Sequence, residues 1–115
     1  MSERYEYLAI PYTHEDEKVR EYRAKIADTI FAAMMLGGRL IYSPISSSHH
    51  IAVNYDLPNL WNYWERLDKC FIAHCKRVIV VTLDGWKESV GVTAEIEYAK
   101  ELGIPIEYID PEDYI

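Results

Sequence analysis

The 115-residue chain is short of the residues that staple, punctuate or hold nucleic acid: two cysteines, five glycines, five prolines, and 12 Lys+Arg against 19 Asp+Glu. Cys70 and Cys75 stand five apart inside a helical pattern, which puts them on different faces, so neither a disulfide nor a CxxC redox pair is expected. Both are read as buried thiols of a reducing compartment. The few glycines make no GxGxxG turn, no Walker loop and no GxSxG elbow. A formal charge of −7 argues against extended nucleic acid as a partner, because duplex binding draws its affinity from a basic face. A mononucleotide needs only one local anion site. No apolar run is long enough to span a bilayer and no leader-like segment opens the chain, so a soluble, cytoplasmic protein is expected. His14, His49, His50 and His74 form neither an HExxH motif nor a ligand set with the cysteines, so no metal and no cofactor is expected.

What is present is a core. Half of the residues are hydrophobic, ample for the single domain, 1–115, that this length supports. Residues 5–10, YEYLAI, read as a strand stopped by Pro11. Over 15–36 the apolar Val19, Tyr22, Ile26, Ile30, Phe31 and Met34 recur at helical spacing until Gly37 and Gly38 end the run. Residues 39–43, RLIYS, give a second short strand ending at Pro44, and strand, helix, strand is one βαβ unit.

Residues 45–59, ISSSHHIAVNYDLPN, read as a long loop, either functional or a polar lid. A helix over 59–75 follows, with Leu60, Trp64, Leu67 and Phe71 as its buried stripe and Asp68 beside it. The run Val78, Ile79, Val80, Val81 is a buried strand; 89–102 is a helix capped by Ser89 and ended by Gly103; 105–109 is the last strand. The apolar end of the tail, Tyr114 and Ile115, suits docking on this subunit or on a neighbour. This alternation argues for an α/β domain, a flavodoxin-like (Rossmann-like) three-layer sandwich around a four-stranded, mainly parallel sheet.

In such a sheet, ligands bind outside the carboxyl ends of the strands. The candidate binding residues are therefore Pro11, Tyr12 and His14 after the first strand, Ser46, Ser48 and His49 after the second, and Asp84, Ser89 and Gly91 after the third. The helix end at Ser89 offers free N–H groups and a favourable dipole to an anion such as a phosphate, although every helix has such an end and a plain cap is the simpler reading. Glu95 lies about two turns further in, with Val92, Tyr98 and Ala99 as helical neighbours, and so points toward the sheet. Asp68 is a second acid on a partly apolar face. A desolvated acid is either a salt-bridged structural group or a working one. Two of them near a bound sugar would suit glycosidic cleavage, which uses one carboxylate as nucleophile and another as acid.

These residues resemble a family, the nucleoside 2-deoxyribosyltransferase-like superfamily, which includes deoxynucleoside 5′-monophosphate N-glycosidases. The segment Tyr7-Leu8-Ala9-Ile10-Pro11 is similar to its opening strand motif. Asp68, the strand beginning at Val78, and the pattern S-x-G-x-x-x-E-x-x-Y-A from Ser89 to Ala99 are similar to its later elements, in order. The similarity spans nearly the whole chain and is greatest to small bacterial and phage members. The resemblance implies Glu95 as the nucleophile at C1′, Asp68 as the group that orients or protonates the base, and Tyr7 as the hydrogen-bond partner of Glu95. Ser89, where transferases tend to carry Asp, implies a substrate with a 5′-phosphate and hence hydrolysis of a nucleotide over transfer between nucleosides. It also implies a homo-oligomer that completes its site with a neighbouring subunit. The chain departs from the family at Pro11-Tyr12-Thr13-His14, where the hydrolases often have a glycine-rich phosphate loop, and at Glu97, where the motif has glycine. A nucleotide-binding module without turnover, a nucleoside deoxyribosyltransferase and a purely structural or interaction domain are the alternatives.

Overall fold

The computed structural model describes residues 3–115. Its elements run β1 (Glu6–Ala9), α1 (Glu17–Leu36), β2 (Ile41–Tyr42), α2 (Pro44–Asn54), α3 (Trp61–Ala73), β3 (Arg77–Val81), α4 (Val90–Leu102) and β4 (Ile106–Ile109), with a short 3-10 turn at Pro111–Asp113. The four strands form one sheet in the order β2-β1-β3-β4. All three pairings are parallel, with Tyr7 beside Tyr42 and Val78, and Val80 beside Tyr108. The result is the flavodoxin-like α/β sandwich, with a sheet that is wholly parallel.

Alternation along β1 divides the core. Leu8 and Ile10 join Ile26, Ile30 and Met34 of α1, together with Ile79, Val81 and Ile109. Tyr7 and Ala9 face the other way, joining Ile72 of α3, Val78 and Val80 of β3, and Val92 and Ala99 of α4. The phase of one four-residue strand therefore delivers a tyrosine hydroxyl to the α3–α4 side of the sheet. The chain reverses direction about β1, with β2 on one flank and β3 on the other, so the carboxyl ends of β1 and β3 border a switch point where a crevice opens.

Local chemistry sets the helix ends. Asp16 caps α1 by accepting from the Lys18 amide, and Ser89 caps α4 by accepting from the Val92 amide. Gly103 ends α4 in the left-handed region at φ 70°, where a side chain would be strained.

Several expectations change. Residues 45–59 are not one long loop, because α2 occupies Pro44–Asn54. Ser43 is its N-cap and Pro44 its first-turn proline, so the Ser-Pro pair read as a strand stop is also a helix start. The Ser47 and Ser48 hydroxyls return to the Pro44 carbonyl, which lets a serine-rich segment remain helical. The stripe on α3 is rotated: Leu60 and Leu67 are exposed, while Asp68 and Ile72 are buried. Tyr22 of α1 is likewise exposed, and of the two thiols only Cys75 is buried, Cys70 being exposed. At the tail, Tyr114 packs on the α1-side core of its own subunit, whereas Ile115 is half exposed. No helix among the described residues is long and apolar enough to cross a membrane.

Candidate functional site

The crevice at the carboxyl edge is floored by Leu8 and Ile10 and walled by α2, α3 and the start of α4. Counted out to the open solvent at its mouth, the crevice takes in about 640 Å³. Each wall contributes by helical periodicity. From α2 come Ser48, His49 and Ala52, from α3 Trp61, Trp64 and Asp68, and from α4 Gly91, Val92 and Glu95. Tyr12 and Thr13 enter from the segment after β1, where the Thr13 hydroxyl ties to the Asn59 carbonyl across the mouth.

Beneath the cleft lie the two acids and the tyrosine. Glu95 is 5% exposed, Asp68 9% and Tyr7 0%. The Tyr7 hydroxyl donates to Glu95 Oε2. No Lys, Arg or His among the described residues pairs with Glu95 or Asp68; the ion pairs lie elsewhere, chiefly at the opposite edge where Arg39 and Arg77 hold Glu6. Of the two readings open for these acids, the salt-bridged one is therefore not what the fold contains.

Electrostatics follow from burial without a countercharge. Desolvation pushes the Glu95 carboxyl up to about 8, opposed by the bond from Tyr7 and reinforced by the nearby Asp68. Desolvation pushes Asp68 up to about 7, again opposed by the Tyr7 hydroxyl. The Tyr7 phenol is raised well above its ordinary value by burial and by both acids, so it stays a proton donor. Carboxyls raised toward neutral pH by burial are of the kind that mark candidate acid–base sites.

The helix end lies in the same cleft. Ser89 and Gly91 line it, and a Cβ at residue 91 would sit 3.4 Å from Trp61 Cε3, an ordinary van der Waals contact. The Trp61 ring therefore lies against the first turn of α4.

Of the sequence-predicted residues, the fold brings Glu95, Asp68, Ser89, Gly91, Tyr12, Ser48 and His49 to the cleft, with Tyr7 bonded to Glu95 from below. The remaining four are placed elsewhere. Pro11 is buried behind the wall. His14 accepts from the Asp16 amide near the start of α1, and Ser46 is engaged by Ser43 at the cap of α2. Asp84 is exposed on the β3–α4 turn, its carbonyl 3.4 Å from Arg23 Nη2. Sequence reasoning did not single out Trp61 as a wall and placed Trp64 in a core stripe. Their spacing with Asp68, at i, i+3 and i+7, was a legible signal of one shared face.

Among the described residues, no three His, Cys, Asp or Glu side chains converge as a metal site would require. No curated protein matches the chain. A family model described as a domain of unknown function, DUF1937, matches residues 4–110; that description names no activity and does not by itself indicate the deoxyribosyltransferase superfamily. With nearly its whole length covered, the chain belongs to the DUF1937 family.

Proposed function

We propose that the chain is an N-glycosidase that cleaves the bond between base and sugar of a nucleotide, as its resemblance to the nucleoside 2-deoxyribosyltransferase-like superfamily implies. The observation that carries the reading is the buried Glu95, without a cationic partner among the described residues, held by the Tyr7 hydroxyl beside Asp68 and open to a cleft that ends on the Ser89 helix terminus. In the first step a Glu95 oxygen bonds to C1′ as the C1′–N bond breaks; its electron pair leaves with the base, which takes a proton from Asp68. Water then attacks C1′, the glycosyl ester breaks to return the Glu95 carboxylate, and the water proton passes to Asp68. Nucleotide and water give free base and sugar phosphate. Tyr7 orients the Glu95 carboxyl throughout. The terminus of α4 suits the 5′-phosphate, since its amides and dipole attract an anion.

The proposal includes self-association, supported by the exposed Ile51, Val53 and Tyr55 of α2 and its following turn and by Tyr63 and Leu67 of α3. A second reading, a nucleotide-binding module without turnover, is favoured by the raised titration of Glu95, because a protonated carboxyl is a poor nucleophile. One experiment separates them. Incubating the chain with purine and pyrimidine nucleoside monophosphates, read by chromatography for released base, should show turnover that Glu95→Gln reduces by about a thousandfold or more while the fold is kept. Binding without release selects the module. Release that Glu95→Gln leaves untouched defeats the nucleophile assignment.

A further inference from the structure

Three side chains form a connected line from the cleft to the surface, and glycosidic chemistry at Glu95 does not use them. Tyr12 follows β1, His49 is on α2 and Glu21 is on α1. The Tyr12 hydroxyl lies 2.6 Å from His49 Nδ1. On the other side of the same ring, His49 Nε2 lies 3.1 Å from Glu21 Oε1. His49 is buried, Glu21 is half exposed, and both Tyr12 and His49 line the cleft.

The order of these groups fixes where the protons sit. A carboxylate offers only lone pairs, so the ring nitrogen 3.1 Å from Glu21 carries the proton. In a neutral imidazole the other nitrogen, Nδ1, is then an acceptor. The donor in the 2.6 Å contact is therefore the Tyr12 hydroxyl. With its one proton engaged, that hydroxyl can offer the cleft nothing but oxygen lone pairs.

We propose that Tyr12 is a specificity-determining acceptor that takes a hydrogen bond from an N–H or O–H group of the ligand, with His49 and Glu21 as positioning residues that set its polarity. On the nucleotide reading of the cleft, on which the ligand's identity rests, the donor is an exocyclic amino group of the base or a hydroxyl of the sugar. A ligand with a carbonyl at that point sets lone pair against lone pair in a largely apolar crevice. A site built for one hydrogen-bonding partner discriminates strongly against the analogue that lacks it.

Two measurements test this. Nitrogen-15 NMR of the His49 ring in the free chain at pH 8 reads the polarity without any ligand. A neutral ring protonated at Nε2 is expected; an Nδ1–H tautomer or an imidazolium overturns the proposal. The ligand arm compares AMP with IMP and CMP with UMP, which exchange amino for oxo, and each ribonucleotide with its 2′-deoxy form, which removes a hydroxyl. In the wild-type chain the donor-bearing member of at least one pair should be favoured about tenfold or more, in kcat/KM or in calorimetric Kd. Tyr12→Phe should bring that pair within about twofold, by weakening the donor-bearing member and relieving the repulsion on its oxo counterpart. Glu21→Ala, outside the cleft, should reduce the ratio, and Glu21→Gln, whose amide oxygen also accepts from Nε2–H, should restore it. Ratios that are flat in the wild type, or that survive Tyr12→Phe in a chain that still melts cooperatively, overturn the assignment. Base release with flat ratios sinks this inference and leaves the glycosidase reading standing, whereas a chain that neither binds nor cleaves any of these nucleotides sinks both.

Discussion

Tyr7→Phe is the substitution that isolates the hydrogen bond on which the site depends. It removes one hydroxyl from a fully buried ring and leaves the ring's contacts with Val78, Val80 and the α4 face in place. The lost bond is the one that Glu95 Oε2 accepts. Leaving a buried acceptor unsatisfied costs on the order of 1–3 kcal/mol, toward the lower end when the carboxyl is neutral and the upper end when it is ionised. For a domain of this size 1–2 kcal/mol lowers Tm by about 4–10 °C. The dependence on pH is the sharper signature. The Tyr7 bond opposes the desolvation that pushes Glu95 up to about 8, so it favours the ionised form. Removing the hydroxyl raises that carboxyl further, and Asp68 with it, so the stability gap between wild type and variant should widen as pH rises from 6 to 9. Urea unfolding of both proteins at four pH values in that range measures the gap directly. A gap that is absent, or flat across the range, would refute the claim that Tyr7 supports the carboxylate.

The acid pair and the opposite edge of the sheet respond to pH with opposite signs. Glu95 and Asp68 have folded values raised to about 8 and about 7, so their contribution is full below the ordinary carboxyl range and is lost as pH climbs through about 7–8. The double variant Glu95→Gln, Asp68→Asn should flatten the decline in unfolding free energy between pH 5 and 8, and an equally steep decline in that variant would contradict the assignment. Glu6 is the reverse case: hydrogen bonds from Arg39, and then Arg77, hold its carboxyl down at about 2 against the cost of burial. Its contribution is present above the ordinary carboxyl range and lost as pH falls toward about 2. Glu6→Gln should cost about 1–2 kcal/mol at pH 7, allowing for solvent screening of the half-exposed arginines. The cost should vanish in acid titrations followed by circular dichroism.

The two ends of the sheet thus treat their acids differently, and this separates the structural carboxylate from the candidate working ones. Glu6 is buried with two guanidinium partners, 2.6 Å from Arg77 and 2.7 Å from Arg39, and so remains ionised. Glu95 is as deeply buried, but its side-chain partner is a phenol that can supply a proton and no charge. A charge at Glu95 is stabilised by one hydrogen bond and little solvent, a condition under which small changes in surroundings shift protonation.

Sequence by itself determined the alternation of elements, and with it the α/β class and the edge of the sheet where a ligand would bind. Val78 to Val81 could only be a buried strand, Ser89 and Gly103 bracketed α4, and the 3.6-residue period turned Glu95 inward, because these are local properties of the chain. Where two local signals competed, tertiary context decided. The Ser43-Pro44 pair serves equally to stop a strand and to start a helix, and α2 forms because its Ala52 and His49 face finds burial against the rest of the molecule. On α3, leucines and tryptophans offered competing apolar stripes, and packing against α4 buried Asp68 and Ile72 while leaving Trp61 and Trp64 half-buried at the cleft. The Tyr7 hydroxyl at the Glu95 carboxyl and the two contacts of the Tyr12–His49–Glu21 line join residues 88, 37 and 28 positions apart. No window on the sequence contains such pairs, because only the parallel sheet and its crossovers bring them within reach of a hydrogen bond.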